Sequence, residues 1–179
     1  MLIPLGFLGG GSLAGFELIS TQVLVATQNV TFSSIPQGYK HLQLRIAARD
    51  ASAGSGGIST SLRLNNVSTS SYAWHQLLGN GGSATTSVST SATSMNVGYV
   101  VANGGTPSAF GGFVIDILDY TNASTNKTVR SLGGLASGYQ YVALHSGVLL
   151  SAGAVTQIDL FTSSGFTANS RFSLYGVRG

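Results

Sequence analysis

The stretch His41-Leu42-Gln43-Leu44-Arg45-Ile46-Ala47-Ala48 alternates apolar and polar side chains up to Ile46. A strand turns successive side chains to opposite faces. Leu42, Leu44 and Ile46 therefore share one face, and His41, Gln43 and Arg45 share the other. That pattern predicts a half-buried strand. Residues 110–120 repeat it: Phe113, Ile115 and Ile117 lie against Val114, Asp116 and Leu118. This second stretch reads as the most central strand of the fold.

Working outward, further strands are expected at 17–25, 29–35, 59–64, 71–78, 95–102, 128–132, 139–145, 154–162 and 171–177. Pro36-Gln37-Gly38 and Asn103-Gly104-Gly105 mark turns. Residues 50–57, Asp-Ala-Ser-Ala-Gly-Ser-Gly-Gly, read as a flexible loop. Gly79-Asn80-Gly81-Gly82 opens a Ser/Thr-rich stretch to Ser94, expected as a long loop or a solvent-facing edge. No window carries a helical stripe, and glycine opposes helix by about 1 kcal/mol per residue. The expected fold is all-β: an antiparallel, jelly-roll-like β-sandwich of about ten short strands. Residues 16–179 form its single domain, and residues 1–15 precede it as an extended apolar arm.

Composition agrees. The chain has 179 residues, enough for one sizeable core. Only 7% are charged, against roughly 25% in an average soluble protein. Glycine (25), serine (26) and threonine (16) fill the deficit. A charged helical bundle, a coiled coil and a charged disordered tail are thereby excluded. The absence of cysteine excludes disulfides, a thiol nucleophile, thiolate zinc and iron–sulfur clusters.

The net charge is +3, from Lys40, Arg45, Arg49, Arg63, Lys127, Arg130, Arg171 and Arg178 against five acids. These cations are scattered, whereas a phosphate-binding surface needs a dense stripe. No nucleic-acid partner is expected. The opening Met-Leu-Ile-Pro-Leu-Gly-Phe-Leu-Gly-Gly-Gly has no cation before Lys40, unlike a signal peptide. Pro4, Gly6 and Gly9-Gly10-Gly11 break its apolar run, so no membrane insertion is expected. Leu2, Ile3, Leu5, Phe7 and Leu8 read as an assembly arm laid into a neighbouring subunit, because a monomer would not readily expose them.

Candidate chemistry is sparse. His41, His75 and His145 have no metal-ligand spacing and read as structural or surface residues. Asp116 and Asp119 tempt as a carboxylate pair, but three residues apart on a strand they face opposite ways. Glycoside hydrolysis needs both to flank one bond. One is expected in solvent and the other at the turn 120–122. No G-x-S-x-G elbow or Walker A is present. Gly9-x-Gly11-x-x-Ala14 lacks the strand, helix and acid of a dinucleotide site. Four Asn-x-Ser/Thr triplets begin at Asn29, Asn66, Asn122 and Asn126 and are expected to go unused without a secretory signal. Among the aromatics, Tyr72, Trp74, Tyr99, Tyr120, Tyr139 and Tyr141 are the platform candidates; paired aromatics on a sheet are mostly core. Tyr72 and Trp74 are the candidate ligand-facing pair. No catalytic residue, metal or cofactor is expected.

Five motifs recur here in a familiar order: FELISTQVL, VTFSSIPQGYKHLQLRIAAR, SYAWHQLLGNG, FVIDILDYTNASTNKTVRSLGG and SRFSLYGVRG. With the opening MLIPLGFLGG they resemble a family of small virion structural proteins of tailed bacteriophages, over nearly the whole chain. The resemblance implies a β-rich, non-enzymatic protein present in many copies on a virion and made in the bacterial host cytoplasm. Its partners would be the major capsid protein or tail proteins and further copies of itself, a trimer being favoured. The leading expectation is a capsid decoration (cement) protein. The alternative is a tail-tip, fibre or receptor-binding component recognising host glycan through the loops at 50–57 and 79–94.

Overall fold

Alternation becomes architecture wherever the apolar face finds a partner. The structure, a computed structural model, describes residues 15–137 and 139–179. The arm residues Leu2, Ile3, Leu5, Phe7 and Leu8 lie outside the described residues, as does the side chain of Tyr139. The described residues form twelve strands and no helix. They are β1 (Phe16–Val23), β2 (Val30–Phe32), β3 (His41–Asp50), β4 (Gly57–Leu64), β5 (Tyr72–Gly79) and β6 (Ala84–Ala92), followed by β7 (Met95–Ala102), β8 (Gly111–Ile117), β9 (Lys127–Ser137), β10 (Tyr139–Leu149), β11 (Ile158–Phe161) and β12 (Arg171–Val177).

The strands divide unevenly. Eight make a long antiparallel layer in the order β1-β12-β3-β8-β9-β10-β5-β6. Four make a shorter one, β2-β11-β4-β7. The two are stitched by the end of β3, where Arg49 and Asp50 pair in parallel with Val101 and Ala102 of β7. Strand β7 then crosses over β8, β9 and β10. The result is a sandwich with one contiguous core. Leu42, Leu44, Ile115 and Phe172 from the long layer meet Leu62, Leu64, Ile158 and Leu160 from the short one, all fully buried. Each such side chain contributes about 1.5–3 kcal/mol relative to exposure.

Two expected strand bounds need correction, those of β9 and β11. Of the two expectations for the Ser/Thr-rich stretch, the solvent-facing edge is the one found: it is a nine-residue strand, β6, paired to β5 and exposed at the sheet edge, and the loop is only its turn. There Asn80 Oδ1 accepts from the N–H groups of Gly82 (3.1 Å) and Ser83 (2.8 Å). Strand β9 runs through Gly133-Gly134, where the sequence suggests a stop at 132. Strand β11 is four residues rather than nine. The left-handed Asn65 (φ 51°) takes the place of a ladder partner for the residues before it. Its side chain donates to Ala154 O and accepts from Thr156 N–H, both at 2.8 Å.

Candidate functional site

Among the described residues the main buried polar side chains fall into two groups, and neither converges on an open cleft. The first ties down loops. Arg49 is buried and donates to the carbonyls of Thr106 and Ala109 (2.7 Å each) and of Asn103 (2.7 Å) and Gly105 (3.2 Å). Its charge is spread over backbone oxygens, and it holds the connection from β7 to β8 against the end of β3. Lys127 is likewise buried, its Nζ donating to Asn122 O in the β8–β9 connection. Asp50, also buried, accepts from Thr162 Oγ1 (2.5 Å) and Ser52 N–H (2.7 Å).

The second group is a polar layer sealed between β7 and the long sheet. Gln76 Oε1 accepts from Tyr99 OH (2.9 Å) and Asn96 Nδ2 (3.1 Å), with His145 Nε2 at 3.1 Å. A carbonyl oxygen can only accept, so Nε2 carries the imidazole proton. His145 Nδ1 faces Ser131 Oγ at 3.4 Å. This serine–histidine pair has the outline of a nucleophile and base, but lacks their chemistry. The Ser131 hydroxyl donates to Val97 O, the third group is an amide rather than a carboxylate, and Ser131, His145 and Gln76 are all buried. Burial holds the His145 pKa down at about 4, so the ring is neutral. Among the described residues no group of three or more His, Cys, Asp or Glu could hold a metal.

The two carboxylates of residues 116 and 119 separate. Asp116 lies on the outer face of β8, accepting from Arg130 Nε (3.1 Å) and Gln43 Nε2 (2.9 Å). Asp119 sits in the following turn with φ 49°, paired to Lys40 Nζ at 2.6 Å. Lys40, and then Asn122, lower its pKa. Tyr72 is not ligand-facing. It is fully buried, accepts from Leu64 N–H (3.0 Å) and donates to Val67 O (3.1 Å). It points inward because Tyr72, Trp74, Gln76 and Leu78 share the core face of β5. Trp74 is half-buried and packs on that core. His41 accepts from Asp119 N–H through Nδ1 (2.9 Å). His75 is exposed on the outer face of β5.

No family model, curated protein or solved structure matches the chain.

What the strand registers do assemble is a surface. Val114, Leu132, Leu144 and Leu77 are direct neighbours across β8, β9, β10 and β5. All four point away from the core, and Leu132, Leu144 and Leu77 are at least half exposed (58%, 50% and 51%). In the adjoining row Val142, 66% exposed, stands between Gly134 and Gly79. The row on the other side carries the Asp116–Arg130 ion pair. A monomer scatters exposed aliphatics singly; an aligned row marks an interaction surface. The sequence shows Val114 outward but cannot show this row, because strand order and register decide which side chains become neighbours.

Proposed function

We propose that this chain is a non-enzymatic structural protein of a bacteriophage virion, a capsid decoration protein bound to the particle surface as an oligomer. The observation that carries the reading is the aligned apolar row on the outer face of the long sheet. A catalyst needs polar groups converging where substrate can reach them. Here the buried polar groups hold loops or seal an internal layer, while the open surface is aliphatic. An assembly protein needs that division: a rigid sandwich that presents apolar contact area repeated by symmetry. Specific contacts of this kind bury about 1,600 Å² each. The ordered motifs resembling small phage virion proteins support the same reading, as does the apolar arm.

The test is location. Antibody against the protein, imaged on particles by electron microscopy, is expected over the whole head. Absence of label from every particle would remove the virion reading. Label confined to the tail would instead favour a receptor-binding component. Binding of the purified protein to a host-glycan array would support it.

A further inference from the structure

We infer that the row Val114–Leu132–Leu144–Leu77 receives residues 1–14 of a neighbouring copy of this chain, with Ile3, Leu5 and Phe7 as the inserted side chains. The inference deepens the assembly reading above and rests on it only for self-association. Where the protein sits on a particle is read separately, by the antibody label.

Charge comes first. Residues 1–16 carry no ionisable side chain, and neither does the row from Val114 across to Thr86 of β6. Between Val114 and Leu77 no charge has to be desolvated when they meet, which is the largest cost such a contact could carry. The nearest charge is Arg45, opposite Val114 at the end of the same row, its guanidinium 4.5 Å from the Tyr175 ring centroid; Asp116 and Arg130 are paired to each other one row away.

Spacing comes second. Ile3, Leu5 and Phe7 alternate, so an extended chain sets all three on one side. From Ile3 to Phe7 is four residues, about 13 Å extended. From Val114 to Leu77 the row crosses three inter-strand gaps, about 14 Å. The two apolar series therefore match in length when the arm lies across the strands. Gly134 and Gly79 beside Val142 leave the sheet surface low along one flank, open to the backbone of an incoming chain.

The place where the described chain begins is a third observation, and it lies away from the row. Strand β1 pairs antiparallel with β12, Phe16 lying opposite Val177. Arg178 N–H donates to Gly15 O at 3.2 Å. Gly15, the first described residue, therefore lies past the C-terminal end of β12. The row lies the other way, level with Ser173 and Arg45, about 13 Å back along β12. The row of a neighbouring copy is the occupant's site we infer, and the isotope-labelled cross-link below separates it from the chain's own row.

The absence of cysteine makes the test clean. Full-length Phe7→Cys is labelled with benzophenone maleimide and mixed with isotope-labelled wild-type protein. After irradiation, cross-linked peptides are mapped by mass spectrometry. Cross-links to isotope-labelled peptides containing Val114, Leu132, Leu144 or Leu77 are expected. Cross-links only within the same chain, only to other faces, or none at all would overturn the inference. A second measurement uses L132K/L144K, whose two positions are solvent-exposed. Its melting temperature is expected within a few degrees of wild type, with loss of the oligomer in sedimentation velocity. An unchanged oligomer would also overturn it. Neither result depends on finding the protein on a virion.

Discussion

At the scale of single residues, the least expected feature is how much polar chemistry is buried and satisfied. His145 makes a sharp prediction. Its folded pKa of about 4 lies below the ordinary value of 6.5, because burial disfavours the charged ring. Between those values the unfolded chain binds the proton and the folded chain does not. Stability from this residue is therefore full above pH 6.5, falls as pH drops toward 4, and levels off below. The loss is on the order of 3 kcal/mol. Urea unfolding at pH 7 and pH 4 should show it, and His145→Gln should flatten that difference; an equal slope in both proteins would contradict the account. Arg49 makes another. Arg49→Met removes a guanidinium from several backbone carbonyls and should cost roughly 2–4 kcal/mol. The connection 103–110 should become the first site cut in limited proteolysis.

At the scale of elements, two glycines explain where the sequence misleads, and one edge strand where it leaves two readings open. Gly133-Gly134 follows the expected strand end at 132, yet β9 continues through it. A Cβ on Gly133 would lie 2.1 Å from Phe113 Cβ and 2.5 Å from Gly112 O. The glycine is there for close approach between β8 and β9. Gly133→Ala should destabilise by about 3 kcal/mol, through overpacking, with a matching drop in Tm by calorimetry. Strand β6 reads as low complexity because, Ala92 at its end aside, its side chains are not held in the core. Its order comes from backbone pairing to β5, which composition does not encode. Val88→Thr on β6 should therefore change stability by less than about 0.5 kcal/mol. Ile115→Ala, at the centre of the core, should cost about 2–5 kcal/mol.

At the scale of the whole molecule, the uneven division into eight and four strands matters most. The short layer and the β7 crossing cover the inner face of the long layer and leave its outer face open. Among the described residues the core draws on Leu24 to Leu174. The arm model expects that removing residues 1–14 leaves the melting temperature nearly unchanged while abolishing particle binding. Calorimetry and a co-sedimentation assay with particles would read the two effects separately. Retained binding by the truncated protein would end the arm model.

The sequence by itself determined the all-β class, the position of most strands and which side chains of β3 and β8 face the core. Alternation with a period of two is a local property, and His41–Ile46 and Phe113–Ile117 display it without help from any neighbour. It also determined that Asp116 and Asp119 diverge. The tertiary structure alone decided the rest. Tyr72 looked as available as Trp74 until the core closed over it, and β6 could be a loop or an edge until β5 supplied its hydrogen bonds. Gln76, Asn96, Tyr99 and His145 became one polar layer only when β7 crossed β5 and β10. Leu132 and Leu144, in different strands, became one exposed row with Val114 and Leu77 only through pairing register. Register is set by long-range hydrogen bonds between strands far apart in the chain, so no local reading of the residues contains it.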